Sequence, residues 1–258
     1  MNLRASADKL APKLAGLIQR MPIEAAKALT FTAERVKKAE VAELRAKLDK
    51  PTPRTLSSVY LQMATPQRLE AVVWIVDELS GASKSYGTNE FGSAFQKTYS
   101  FNGITPDKWL IPHIRGGGRL VKGTEILLRK RGVIGPDQWL AIAANAPKNS
   151  YGNLSQGWYQ KINAAFRANL DQYQNRTNSR RSRRNTGGII MVMDDAGKPD
   201  FIARRNAAGD LTPLLVVTRA PKYKARVDWY GVGKRVAADV LPRKVASAIR
   251  RASRAGVA

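Results

Sequence analysis

The chain has 258 residues, 43% of them hydrophobic, which suffices for the core of one large domain or two small ones without covalent staples. It contains no cysteine and one histidine, so a disulfide framework and a thiolate metal centre are excluded, and neither a metal nor a cofactor is expected. Lysine and arginine number 44 against 20 aspartates and glutamates, a formal charge of +24, and a field of that sign attracts polyanions: nucleic acid, an anionic membrane surface or an acidic protein face.

The first residues, Met1-Asn-Leu-Arg-Ala-Ser-Ala-Asp8, lack the apolar stretch of a signal peptide. No run approaches the roughly 18 apolar residues of a membrane span, so the protein is expected to be unsecreted and to have no such span. Leu3, Leu10, Leu14, Leu17 and Ile18 recur at mostly helical spacing and predict a helix over 3–19. Pro22 is then expected in the first turn of a second helix running to Leu48. Its apolar face is Ile23, Ala26, Leu29, Ala33, Val36, Val41, Leu44 and Leu48, with Arg35, Lys37, Lys38, Glu40, Glu43 and Lys47 on the charged side. Lys50-Pro-Thr-Pro-Arg54 must end it, because a residue before proline is driven out of the helical region.

Residues 55–64 and 69–76 read as a β-hairpin around Thr65-Pro-Gln-Arg68. Residues 80–105, rich in Gly, Ser, Thr and Asn, read as a long loop anchored by Phe91, Phe95, Tyr99 and Phe101. The stretch 106–131 holds His113, Gly116-Gly-Gly118 and a dense cationic run, and is expected to be a mobile glycine joint with a basic contact surface. Its nearby acids, Asp107 and Glu125, read as ordinary surface residues, so no catalytic partner for His113 is evident. The glycines lead into Arg119-Leu120 rather than Gly-Lys-Ser/Thr, which argues against a phosphate loop.

A turn at Ser150-Tyr-Gly-Asn-Leu-Ser155 is expected to open a helix reaching Tyr173, with Trp158, Ile162, Ala165, Phe166 and Leu170 on its apolar stripe. Residues 175–185 carry five arginines, no acid and no apolar side chain, and read as a solvated or partner-ordered loop. Strands over 188–193, 200–204 and 212–218 form an antiparallel meander, and its turn residues Asp194 and Asp195, with Asp200 nearby, are read as turn chemistry rather than a cation site. Val232 to Arg254 is expected to be helical, interrupted near Leu241-Pro242, with Val236, Val240, Val245 and Ile249 on one side. The five tryptophans, each beside an apolar run, are read as core or interface residues.

The expected fold is α+β: long N- and C-terminal helices packed on antiparallel strands, with a loop-rich insertion. The expected division is 1–79 (helices and hairpin), 80–186 (the insertion, with its helix at about 155–173) and 187–258, whose meander and helix complete the core with 1–79. Candidate contacts with a polyanionic partner or DNA are Arg115, Arg119, Lys122, Arg129, Lys130, Arg131, Arg176, Arg180, Arg181, Arg183 and Arg184.

Three stretches carry a family resemblance. Ala25-Ala-Lys-Ala-Leu-Thr-Phe-Thr-Ala33 leads to Lys50-Pro-Thr-Pro-Arg-Thr-Leu56, Tyr151-Gly-Asn-Leu-Ser-Gln-Gly157 stands alone, and Pro213-Leu-Leu-Val-Val217 leads to Leu241-Pro-Arg-Lys-Val245. In this order of parts the chain resembles phage tail completion proteins of the minor tail protein Z type, known from lambda-like phages and prophages, with a longer insertion at about 80–185. The resemblance implies a non-enzymatic structural protein of the virion neck or tail, a head–tail connector component made in the host cytoplasm. It would act as a homo-oligomeric ring against portal, adaptor or tail-tube proteins, with nonspecific contact to packaged DNA. The alternative is a sequence-nonspecific nucleic-acid-binding protein, and an enzyme ranks last.

Overall fold

The computed structural model describes residues 3–76, 85–88, 94–97 and 105–255, with side chains over 15–76 and 105–254. In chain order the helices are α1 (Leu3–Lys47), α2 (Pro53–Leu56), α3 (Pro106–Arg115), α4 (Gly123–Lys130), α5 (Gln156–Ala165), α6 (Arg180–Thr186) and α7 (Trp229–Ala255). The strands are β1 (Val59–Gln62), β2 (Val72–Ile75), β3 (Ser85–Thr88), β4 (Ala94–Lys97), β5 (Gly117–Gly118), β6 (Trp139–Ile142), β7 (Ile189–Met193), β8 (Pro199–Arg205), β9 (Leu211–Thr218) and β10 (Lys222–Tyr223). The fold is α+β. It divides into two compact units, Met1–Arg115 with Ala225–Ala258, and Gly116–Lys224.

In the first unit α1 and α7 pack antiparallel. Glu24 accepts from Arg251 Nε at 2.5 Å, the Lys244 ammonium sits 3.6 Å from the Phe31 ring centroid, and Glu43 accepts from the Asp228 amide at 3.3 Å. The expected pair of helices over 3–19 and 22–48 is one 45-residue helix that runs through Pro22. The missing Pro22 amide removes one hydrogen bond, a local cost of about 3 kcal/mol that is offset by the packing of α1 on α7 beyond it, from Glu24 to Glu43.

The helix stops where Lys50 adopts φ 45° ahead of Pro51. Thr52 then caps the short α2, its hydroxyl accepting from the Thr55 amide, so residues expected at the start of a strand are helical. The hairpin itself forms: β1 and β2 are antiparallel, with Val59 opposite Ile75 and Gln62 opposite Val72. Leu44, Val59, Leu110 and Val227 make the core of this unit, with Trp109 and Trp229 against it. Within 80–105, read as loop, β3 and β4 pair antiparallel. Anchoring by Phe91, Phe95, Tyr99 and Phe101 lies outside the described side chains.

The C-terminal helix is uninterrupted from Trp229 to Ala255, passing Pro242 without a restart. Its buried face also differs from the expected one. Val245 and Ile249 are exposed, whereas Ala248 and Ala252 are buried, as are Ala26, Ala28 and Ala33 on α1. Small side chains let two helix backbones approach closely, so alanine rather than valine marks the seam.

The second unit holds a four-stranded antiparallel sheet in the order β6-β9-β8-β7. The expected three-strand meander is present, and β6, from a stretch given no assignment in the sequence, pairs with β9 from Trp139–Thr218 to Ile142–Leu215. Pro213 lies beyond the end of β6, opposite Ala203 beside a register shift, where its missing N–H breaks no ladder bond to β6. The inward side chains Ile189, Ile202, Leu214 and Leu215 pack on Leu128, Leu154 and Ile162. This corrects the expected division: the meander is buried by the stretch before it and belongs to Gly116–Lys224, and within the C-terminal segment only Ala225–Ala258, with Val227 and α7, belongs with residues 1–115. The glycines expected as a mobile joint form β5, which pairs with β10, Gly118 opposite Lys222, with Gly117 at φ 103° as only glycine allows readily.

Candidate functional site

The cationic run at 115–131 does not form one surface. Arg119 donates to Glu125 through Nη1 at 2.9 Å and Nη2 at 2.5 Å, and to the Leu140 carbonyl at 3.1 Å. Its guanidinium lies 4.7 Å from the Trp139 centroid, and Arg129, which donates to the Gln138 carbonyl at 2.8 Å, lies 5.1 Å from the same ring. Both arginines, partly buried, are therefore tied within the chain. Glu125, expected at the surface, is fully buried and also accepts from the Lys122 and Leu140 amides at 2.7 Å each. Burial pushes this carboxyl up, but Arg119 and the two amides outweigh burial and hold it below the usual carboxylate range.

Arg115 ends α3 and donates to the Tyr230 hydroxyl at 2.9 Å on an exposed surface. That bond raises the guanidinium above its ordinary value. Lys130 and Arg131 are exposed, and Lys122 is half-buried in a cleft. Of the six basic residues in this run, then, Arg115, Lys130 and Arg131 remain open to a macromolecular partner.

The second cluster is better organised than its sequence implied. The expected loop is in part the helix α6, capped by Ser179, whose hydroxyl accepts from the Ser182 amide at 3.1 Å. Ser182 in turn accepts from the Thr177 amide at 2.9 Å, and Thr186 is buried. At 100° per residue, Arg180, Arg181, Arg183 and Arg184 span an arc of about 160°, with Ser182 and Thr186 on the opposite side. All four arginines are exposed, and Arg176, half-buried, ties its backbone amide to the Ala164 carbonyl at 2.9 Å. Helix α6 leads through two glycines into β7, where Ile189 lies opposite Arg204 and the Arg205 amide donates to Gly188. Exposed Arg204 and Lys161 approach the Trp158 ring at 5.7 Å and 4.9 Å, so basic side chains continue beside the helix.

The segment before α6 also departs from the expected helix. Helix α5 ends at Ala165 rather than Tyr173, because Arg167 takes φ 54°. The Arg167 and Ala168 amides donate back to the Ala164 and Asn163 carbonyls at 3.1 Å and 2.8 Å, a Schellman closure with arginine where glycine is usual. No signal in the sequence marks that stop.

His113 is half-buried in α3, and burial, then Arg226, lower its pKa. Asp194 caps its own turn, accepting from Ala196 and Lys198 at 2.9 and 2.8 Å. Among the described residues no group of His, Asp or Glu converges on a metal position, and no helix is long and apolar enough to cross a membrane.

Glu40, read on the charged face of α1, is 1% exposed and lines a cleft of about 380 Å³ with Val36, Trp229, Gly233 and Leu241. Burial first, then Glu43, push this carboxyl up to about 8, against a hydrogen bond from the Gly233 backbone that lowers it. In comparisons with known proteins, no family model, curated protein or solved structure matches this chain.

Proposed function

We propose that this chain is a non-enzymatic structural component of a phage virion, at the neck or tail end. Copies would form a ring whose basic faces meet the acidic surfaces of portal, adaptor or tail-tube proteins. The observation that carries this reading is the arginine face of α6: four exposed guanidiniums on a capped helix, with no acid between Gln172 and Gly188. An unpaired cationic face of that density attracts a partner of comparable negative density. The resemblance in the stretches around Ala25–Leu56, Tyr151–Gly157 and Pro213–Val245 supplies the virion context. Inactivating the gene in the phage that encodes the chain should leave unjoined or incomplete heads and tails by electron microscopy. Fully infectious particles of normal morphology from that mutant would exclude the reading.

The second reading, sequence-nonspecific nucleic-acid binding, is favoured by Arg204, Arg205 and Lys161 beside α6, which lengthen the cationic track. It is distinguished by whether isolated protein retards DNA in a salt-dependent way.

A further inference from the structure

The residues beyond the stop at Arg167 carry the end of the apolar stripe expected on α5, and the fold turns them outward. Leu170 is 79% exposed and Tyr173 87%, the two most exposed large apolar side chains among the described residues, and they stand three positions apart. The loop that carries them is closed at its base. The Asn169 amide donates to Asn175 Oδ1 at 3.0 Å, Asn175 Nδ2 donates back to the Asn169 carbonyl at 3.1 Å, and Asn169 Nδ2 donates to the Gln174 carbonyl at 3.0 Å. Asp171 is committed inside the loop, accepting from the Tyr173 amide at 2.9 Å and from Gln174 Nε2 at 3.3 Å. Beyond it the Arg176 amide is held by the Ala164 carbonyl and the Thr177 amide by Ser182 of α6, so the connection from the loop to the arginine face is pinned. A single exposed leucine or tyrosine is ordinary on a surface. Two at this exposure, held out by a side-chain-bonded loop next to four unpaired guanidiniums, form an apolar projection beside a charged face.

A loop already ordered by hydrogen bonds has little conformational freedom to lose on binding, so the apolar side chains it presents contribute to association with little offset. Tyrosine and arginine are also the residues that anchor interfaces, with polar groups around the anchor excluding water. Two kinds of polyanion match the charge, and Leu170 separates them. Single-stranded nucleic acid stacks successive bases on aromatic rings, and a leucine offers no stacking face. Of the four aromatic residues between Trp158 and Gly188 only Tyr173 is exposed: Trp158 is half-buried with Lys161 and Arg204 against its ring, and Tyr159 and Phe166 pack on the core. An acidic amphipathic helix uses every part of the surface. Arg180 with Arg183 and Arg184 recurs at about one helical turn, the spacing of carboxylates on a facing helix, and an apolar stripe between those carboxylates accepts leucine and tyrosine alike. We propose that the 169–175 loop is the apolar anchor of the α6 interface, with Leu170 and Tyr173 packing on the apolar stripe of an acidic amphipathic helix in a partner protein and the α6 arginines meeting its carboxylates. This rests on the reading of α6 as a face for acidic protein and adds a division of labour: the arginines speed encounter, and the loop slows dissociation.

The test measures binding of the full chain to three fluorescent probes. One is a stapled helical peptide of about four turns with leucine at every third or fourth position and glutamate between. The second is the same peptide with each leucine replaced by serine, and the third is single-stranded oligothymidylate. The leucine peptide should bind about tenfold or more tighter than the serine peptide. Leu170→Ser combined with Tyr173→Ser should abolish that preference by raising the dissociation rate and leave the serine peptide unaffected. Tyr173→Phe should keep the preference, as should Ile126→Ser, which removes an exposed apolar side chain from α4. Replacing the four α6 arginines by serine should weaken both peptides and lower the association rate. Equal affinity of the parent for the two peptides, or a preference that survives loss of Leu170 and Tyr173, overturns the anchor and leaves the reading of α6 as an acidic-protein face standing. Binding of neither peptide, or binding that the arginine variant retains in full, removes that reading as well. Oligothymidylate bound more tightly than the leucine peptide, and weakened by Tyr173→Ser but not by Leu170→Ser, would show a base-stacking platform and overturn the proposal.

Discussion

Glu40 and Glu125 show how differently two buried carboxylates are accommodated. Glu125 is neutralised by a two-pronged guanidinium and amide donors, an arrangement that stabilises the ionised form. Glu40 is deeply buried beside Glu43 and has one oxygen, Oε2, without a hydrogen-bond partner, and the pull of Arg235 does not offset burial, so the neutral form wins. The sign of the pH effect follows. The folded chain holds the Glu40 proton up to about pH 8, whereas the ordinary value is 4.5, so the folded state binds more protons between these values and stability falls as pH rises through that window. Glu40→Gln keeps the shape and cannot ionise. In urea denaturation it should match the parent near pH 4.5 and exceed it by about 2–5 kcal/mol at pH 9. Parallel stability curves for the two proteins would show that Glu40 is ionised in the fold.

At the scale of elements, apolar spacing located helices better than it located their buried faces. At 100° per residue Val245 and Ile249 fall on the side of α7 opposite Val236 and Val240, whereas Gly233, Ala237, Leu241, Ala248 and Ala252 fall within an arc of about 100°, and that arc holds the buried alanines. Ala248 is 2% exposed and has no room to grow. Ala248→Leu should therefore destabilise the chain by about 1–3 kcal/mol through overpacking, and Val245→Leu on the exposed side should change stability by less than about 0.5 kcal/mol. Equal midpoints for the two variants in chemical denaturation would contradict the alanine seam. Helix α6 carries a related lesson: composition identified residues 175–185 as unable to bury apolar surface, but a serine cap and a buried threonine are enough to wind part of them.

For the whole molecule the excess of positive charge is the dominant property, and α6 concentrates it. Exposed charges contribute little to stability individually, about 0–1 kcal/mol each, so their removal bears on association rather than folding. Replacing Arg176, Arg180, Arg181, Arg183 and Arg184 together by serine should leave the melting temperature within a few degrees. It should reduce incorporation into particles, most strongly at low salt, because screening weakens the parent's attractions while the variant has fewer left to lose. In the DNA-binding reading the same variant should show a shallower dependence of affinity on salt, reporting fewer displaced counterions. Normal assembly and unchanged salt dependence would leave the arginine face without a role in either reading.

Composition and periodicity by themselves determined the α+β class, the long helices at both ends, the hairpin at 59–75 and the meander at 189–218, because each rests on local spacing and turn chemistry that survives any packing. They also located the arginine cluster, since five cations without an acid is a property of the chain rather than of its fold. Only the tertiary structure decided that the meander is buried by residues 123–168 and not by the terminal helices, that Arg119 and Arg129 are ties around Trp139, and that Glu40 and Glu125 lie inside. These outcomes share one cause. Burial and pairing depend on which surfaces meet across long stretches of chain, and a helix or strand pattern states which residues share a face without stating what that face will touch.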